Sequence, residues 1–111
     1  MRTVLVTGGS RGIGKAIAEQ LGQTCNVAVG YSSSKEKADE VVTLIKENGG
    51  KAIAVSIDVT SQESVEQCFE SVENEFSSID ILINNAGITK DNILPRLKQE
   101  DWDYVIDTNL H

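Results

Sequence analysis

Polar and apolar positions follow two alternating rhythms along the 111 residues of the chain. Short apolar runs of strand length and composition cover Arg2 to Thr7, Asn26 to Tyr31, Ala52 to Ile57 and Ile79 to Ile83. Between them apolar residues recur three and four positions apart, the spacing of one buried helix face. Ile13 to Leu21 reads as the first such helix, with Ala16, Ile17 and Leu21 in register. Ser33-Ser34-Lys35-Glu36 has the Ser-x-x-Glu form of a capping box and opens a second helix through about Glu47, with Ala38, Val41, Val42 and Ile45 on one face. Asn48-Gly49-Gly50 stops it. Thr60-Ser61-Gln62-Glu63 forms a second capping box before the stripe Val65, Cys68, Phe69, Val72, Phe76. Residues 84–97 have loop character, and a last helix is expected from near Gln99, with Trp102, Val105, Ile106 and Leu110 at helical spacing. The chain is expected to stop inside that helix.

Strands that alternate with helices fold as a parallel sheet, because each crossover helix returns the chain to the same end of the sheet. The expected class is therefore α/β: a Rossmann-type parallel sheet in strand order 3-2-1-4, helices on both faces, incomplete at its C-terminus. Residues 1–111 make a single, partial dinucleotide-binding domain in this reading. The ligand crevice of such a sheet lies at the carboxyl ends of strands 1 and 4.

The first strand leads directly into Thr7-Gly8-Gly9-Ser10-Arg11-Gly12-Ile13-Gly14. A turn that reverses sharply, brings backbone N–H groups against a pyrophosphate and packs a helix closely on a strand calls for glycine at those points. The helix that follows adds unpaired donors and the positive end of its dipole. Strand, turn, glycine spacing and helix agree on a dinucleotide site, where a lone glycine-rich loop would be weak evidence.

Composition narrows the partners. The formal net charge of -7 argues against nucleic acid, which is held by clustered Lys and Arg. The longest apolar runs are strand-sized, too short to span a membrane, and the three-residue run before the glycine turn does not resemble a secretory signal. A cytoplasmic location is expected. Cys25 and Cys68 form no CxxC motif, and the one histidine is His111, so the thiols read as reduced core residues and no metal site is expected.

Thr7-Gly-x-x-x-Gly12-Ile-Gly14, Asp58 after the third strand, Asn84-Asn85-Ala86-Gly87 after the fourth and Asn109 near the end together resemble the classical short-chain dehydrogenase/reductases. The resemblance spans the chain. Residues 84–92, with Glu100-Asp101-Trp102 and Asp107-Thr108-Asn109-Leu110, are most similar to the 3-oxoacyl-(acyl-carrier-protein) reductases, and acetoacetyl-CoA reductases share much of this pattern.

The resemblance implies a nicotinamide cofactor and assigns positions around it. Gly8, Gly12 and Gly14 would form the turn, with Ser10, Arg11 and the backbone of Ile13 facing the phosphates and the adenosine ribose. Asp58 and the backbone of Val59 would meet the adenine, an ionised carboxylate being a natural acceptor for the adenine amino group. Read without the family, Asp58 is a turn or capping residue. Asn85, Ala86 and Gly87 would wall the cofactor at the end of strand 4, where Asn amides can also tie strands together. Asn109 would be the catalytic asparagine, part of a relay to solvent. The end of strand 2 carries Tyr31-Ser32-Ser33-Ser34-Lys35 where an NAD site places an acid about 20 residues beyond the glycines. Ser32, Ser33 and Lys35, with Arg11, suit a 2′-phosphate, so the expected cofactor is NADP(H). Glu36 is the competing residue, turned aside in this reading by its capping-box position.

The family transfers hydride to a carbonyl with a serine, a tyrosine and a lysine that fall beyond the part resembled here. Tyr31-x-x-x-Lys35 meets the tyrosine-lysine spacing formally but belongs to the adenosine end, so it is not a catalytic pair. The expected activity of a complete parent is NADPH-dependent reduction of a 3-oxoacyl thioester in fatty acid synthesis, with acetoacetyl-CoA or another alcohol as the alternative substrate. These 111 residues alone are expected to be inactive, and a non-catalytic NADP(H)-binding fragment is the third reading. A homo-oligomer, a tetramer, is expected for the parent, and strand 4 is expected to be a bare, solubility-limiting edge.

Overall fold

The computed structural model describes residues 1–8, 12–58, 60–84 and, through their backbone, 104–107. They form β1 (Thr3–Thr7), α1 (Gly12–Leu21), β2 (Asn26–Tyr31), α2 (Lys35–Glu47), β3 (Lys51–Ser56), α3 (Gln62–Glu75), β4 (Ile81–Asn84) and β5 (Tyr104–Asp107). All strand pairs are parallel, in the order β3-β2-β1-β4-β5. Val6 lies in register with Val29 on one side and Ile83 on the other.

The sheet is buried on both faces, which explains why its strands read as continuous apolar runs. Val4, Val6, Val27, Val29 and Ile83 point to one face and pack with Ala18 of α1 and Ala38, Val41, Val42 and Ile45 of α2. Leu5, Ala28, Val55 and Leu82 point to the other, against Val65, Cys68, Phe69 and Val72 of α3. Cys25 and Cys68 are both buried free thiols. Along β1 the alternation Val4, Leu5, Val6 thus feeds two cores in turn, as a strand's period of two requires.

Helix ends show how local chemistry sets the boundaries. Asn48-Gly49-Gly50 closes α2 as a Schellman motif: Gly49 takes φ 86°, Gly49 N–H donates to Lys46 O at 3.0 Å, and Gly50 N–H donates to Ile45 O at 2.9 Å. Neither expected capping box forms. Ser34, not Ser33, is the N-cap of α2 and makes no side-chain cap bond. With the cap there, the third helical position is Lys37, which has no acceptor to return. For α3 the N-cap is Ser61, whose Oγ accepts from Ser64 N–H at 3.2 Å. Thr60 is drawn instead into a turn with Asp58.

The largest departure is at the end of the chain, where Tyr104–Asp107 is a strand beside β4 rather than part of the expected last helix. Two forces favour the strand. Tyr-Val-Ile has high strand propensity, and a bare parallel β4 edge presents backbone donors and acceptors that need partners. Four paired positions, from Ile81↔Tyr104 to Asn84↔Asp107, therefore cover the edge expected to be open. No helix of the described residues is long and apolar enough to cross a membrane.

Candidate functional site

The strand order runs outward from β1 in both directions, so the sheet's switch point lies between β1 and β4. Ligands of open α/β sheets bind at that crevice, beyond the carboxyl ends of the strands. β1 enters it through Thr7 and Gly8. Gly8 has φ 66°, and its N–H donates to Gly30 O at 3.0 Å, holding the start of the turn against β2. That approach depends on Gly30, where a Cβ would sit 3.1 Å from Ile57 Cγ2 and 3.3 Å from Val6 O. Gly12 opens α1 with φ 51°, and a Cβ there would meet nothing within 4 Å. Gly14 is buried in the first turn. The first turn of α1 contains no acidic residue, so nothing on it repels an anion from the helix N-terminus. Positive φ at Gly8 and Gly12, open space at Gly12 and a first helical turn without acidic residues fit a pyrophosphate.

Across the switch point, Thr7 and Asn84 are buried polar residues at the paired ends of β1 and β4. Thr7 Oγ1 donates to Asn84 Oδ1 at 3.2 Å, with Ile83 O a second acceptor at 3.4 Å. The expected tying of strands by an Asn amide is made here by Asn84.

At the end of β2, Ser32 and Ser33 are exposed and Lys35 is the exposed first residue of α2. Hydroxyls and an ammonium at a helix N-terminus fit a phosphate. Glu36 is not held in a capping box. It lies instead along a hollow of about 400 Å³ between α1 and α2, with Lys15, Asp39 and Thr43. Tyr31 ends a strand and Lys35 starts a helix, so the pair does not share a helix face.

Asp58 follows β3 and is exposed. Thr60 donates to Asp58 Oδ1 twice, from its N–H at 3.0 Å and its Oγ1 at 2.6 Å, and these bonds hold the Asp58 carboxyl below its ordinary pKa. The backbone is fixed as well: Asp58 N–H donates to Ser64 Oγ at 2.8 Å and Asp58 O accepts from Ser61 N–H at 3.0 Å. The turn role and a solvent-exposed carboxylate therefore coexist in one residue. Ser10, Arg11, Val59, Asn85, Ala86, Gly87 and Asn109, with the Ile13 side chain, lie outside the described residues. Among the described residues no cluster of His, Cys, Asp and Glu side chains suits a metal.

The profile of the short chain dehydrogenase family matches residues 2–111. The chain belongs to that family. Among curated short-chain dehydrogenases, the 3-oxoacyl-(acyl-carrier-protein) reductase of Staphylococcus epidermidis is 50% identical over 110 residues, 98% of this chain and 45% of the relative. The chain thus spans about half the length of the curated relatives it matches. A dehydrogenase/reductase from Sinorhizobium meliloti superposes with a TM-score of 0.75 at 42% identity, over 78% of this chain and 35% of the other. A short-chain dehydrogenase of Burkholderia cenocepacia solved in complex with NADP gives 0.73 at 44% identity, over 78% and 36% of the two chains. Within a short-chain dehydrogenase, three further residues shape the site without having been expected there: Gly30, Thr60 and Ser64. An isolated glycine inside an apolar strand was the readable signal for the first, since it marks close backbone approach.

Proposed function

We propose that this chain is the cofactor-binding part of an NADPH-dependent reductase of 3-oxoacyl thioesters, acting on carrier-bound acyl groups in fatty acid synthesis. The observation that carries the cofactor reading is that Gly8, just past β1, and Gly12, at the start of α1, both take positive φ at the carboxyl end of the strand beside the β1/β4 switch point. The substrate reading rests on the identity shared with 3-oxoacyl-(acyl-carrier-protein) reductases. The bound cofactor supplies the hydride. The chain's part is to hold it: Gly8, Gly12, Gly14, Ser10, Arg11 and the Ile13 backbone at the phosphates, Ser32, Ser33 and Lys35 at the 2′-phosphate, Asp58 and Val59 at the adenine, and Asn85, Ala86 and Gly87 along the end of β4. Asn109 is the one residue of the catalytic relay in this reading. A homo-oligomeric parent and a cytoplasmic location belong to the same proposal.

No tyrosine-lysine pair stands at the nicotinamide end within these 111 residues, so they bind cofactor without reducing a carbonyl. The test is paired. Titration of the purified chain with NADPH, read by nicotinamide fluorescence, is expected to saturate, while acetoacetyl-CoA with NADPH is expected to give no oxidation at 340 nm (the usual nicotinamide band). Absence of saturable binding overturns the cofactor assignment, and turnover overturns the division of labour.

A further inference from the structure

Asp58 is the adenine-facing carboxylate in the reading above, and the inference here rests on that reading. Its two carboxylate oxygens are not equivalent. Oδ1 accepts from both the N–H and the Oγ1 of Thr60, at 3.0 and 2.6 Å, so both of its lone-pair directions are engaged. The backbone on either side of the carboxylate is held by Ser64 Oγ and by Ser61 N–H. Ser64 is itself fixed, its N–H donating to the N-cap oxygen of Ser61 at 3.2 Å. The network is built on the start of α3, and Oδ2 of the exposed Asp58 takes no part in it.

From this geometry we infer that Thr60 is a positioning residue for cofactor base recognition: by occupying Oδ1 it aims Asp58 Oδ2 as a pure acceptor at the exocyclic amino group of adenine. The chemistry is selective. Adenine presents an N–H₂ donor at that position, whereas hypoxanthine presents a carbonyl oxygen, which an ionised carboxylate repels. An Asp58 freed from Thr60 rotates about its terminal torsion, and part of the binding free energy is then lost in ordering it again. The lowered pKa of Asp58 keeps it ionised and acceptor-only at neutral pH, in line with this role.

The experiment measures equilibrium binding of NADPH and of its hypoxanthine analogue by nicotinamide fluorescence, using the full 111-residue chain. The wild-type chain is expected to prefer the adenine form by about tenfold, the scale of one charge-assisted hydrogen bond. Thr60→Val, which removes the hydroxyl and keeps the backbone N–H, is expected to reduce that preference about threefold. Thr60→Ser keeps the hydroxyl and is expected to keep the preference. In an Asp58→Asn background, Thr60→Val is expected to change nothing further, since the group it aims is gone. A wild-type preference that survives Thr60→Val intact overturns the positioning role and leaves the cofactor reading standing, as does a Thr60→Ser chain that loses it. NADPH binding without any wild-type preference removes Asp58 from the adenine and the inference with it.

Discussion

Thr7 Oγ1 and Asn84 Oδ1 meet at 3.2 Å where β1 and β4 end side by side, both residues buried and both at the mouth of the crevice. The bond joins the carboxyl ends of the two strands on either side of the sheet's switch point. Removing the hydroxyl while keeping the shape isolates it. Thr7→Val is expected to cost about 1 to 3 kcal/mol, because a buried amide oxygen loses a donor that an apolar methyl cannot replace. Urea unfolding followed by circular dichroism checks this: a midpoint equal to wild type would show that the bond contributes nothing.

Gly12 and Gly30 separate stability from binding. At Gly30 a Cβ would press on Ile57 Cγ2 at 3.1 Å and Val6 O at 3.3 Å, so Gly30→Ala is expected to cost about 1 to 3 kcal/mol of stability by overpacking. At Gly12 no protein atom lies within 4 Å of the added carbon, and only the φ of 51° penalises it. Gly12→Ala is therefore expected to lose about 1 kcal/mol of stability, while its NADPH affinity falls at least tenfold because the methyl occupies the cradle. Thermal melts set beside fluorescence titrations of both variants decide it, and equal affinity losses with unequal stability losses would place the cofactor elsewhere.

The fold was readable because each strand's apolar run and each helix's stripe report the same burial on two faces. Val4 and Val6 serve one core and Leu5 the other, and no tertiary detail is needed to see it. The last segment was misread for the converse reason. Trp102, Val105, Ile106 and Leu110 keep helical spacing, but a bare β4 edge is a property of the assembled sheet, and its unpaired backbone outweighs a four-residue pattern. The capping boxes failed by a single residue each. Ser33 and Ser34 both satisfy a cap's chemistry, and nothing local says which one the incoming strand will deliver to the helix. At the site, Asp58 was visible as a residue type, whereas its bonds to Thr60 depend on the turn that brings position 60 back over position 58.

Asp58 also carries an acid-side signature. Its folded pKa is depressed below the ordinary 3.8 by the two Thr60 bonds, so it contributes stability above that value that is lost as the pH falls through the folded pKa. Thr60→Val weakens the cause of the depression. Unfolding midpoints measured from pH 5 to pH 2 are expected to fall less steeply for the variant than for the wild type, and parallel curves would show that the Thr60 hydroxyl does not set the carboxylate's affinity for protons.

On the alkaline side the relevant group is Cys68, buried against Val65, Phe69 and Val72 in the core beneath α3. Burial pushes its thiol up to about 12 from an ordinary 9.0. The unfolded chain then releases its proton at lower pH than the folded chain does, so stability is complete below pH 9 and declines as the pH rises from 9 toward 12. Cys68→Ala removes this slope at the expense of a cavity. The same burial predicts slow alkylation: with iodoacetamide at pH 8, modification of Cys68 should track unfolding, and rapid labelling of the native chain would contradict it.

In the proposed reading, cofactor choice turns on the end of β2. Ser32 and Ser33 are exposed, Lys35 begins α2, and the acid that an NAD site uses to hold the ribose 2′-hydroxyl is missing from the strand end. Glu36 stands one position beyond Lys35 but lies along the hollow shared with Lys15, Asp39 and Thr43, between α1 and α2. Placing a carboxylate at Ser32 supplies the missing acceptor and sets a negative charge where a 2′-phosphate would bind. Ser32→Asp should therefore weaken NADPH about tenfold or more through like-charge repulsion and tighten NADH by several fold through the ribose hydroxyl. The ratio of the two dissociation constants is the deciding quantity, because a general loss of folding would weaken both cofactors together. A ratio that stays at its wild-type value would show that the Ser32 to Lys35 segment does not read the 2′ position.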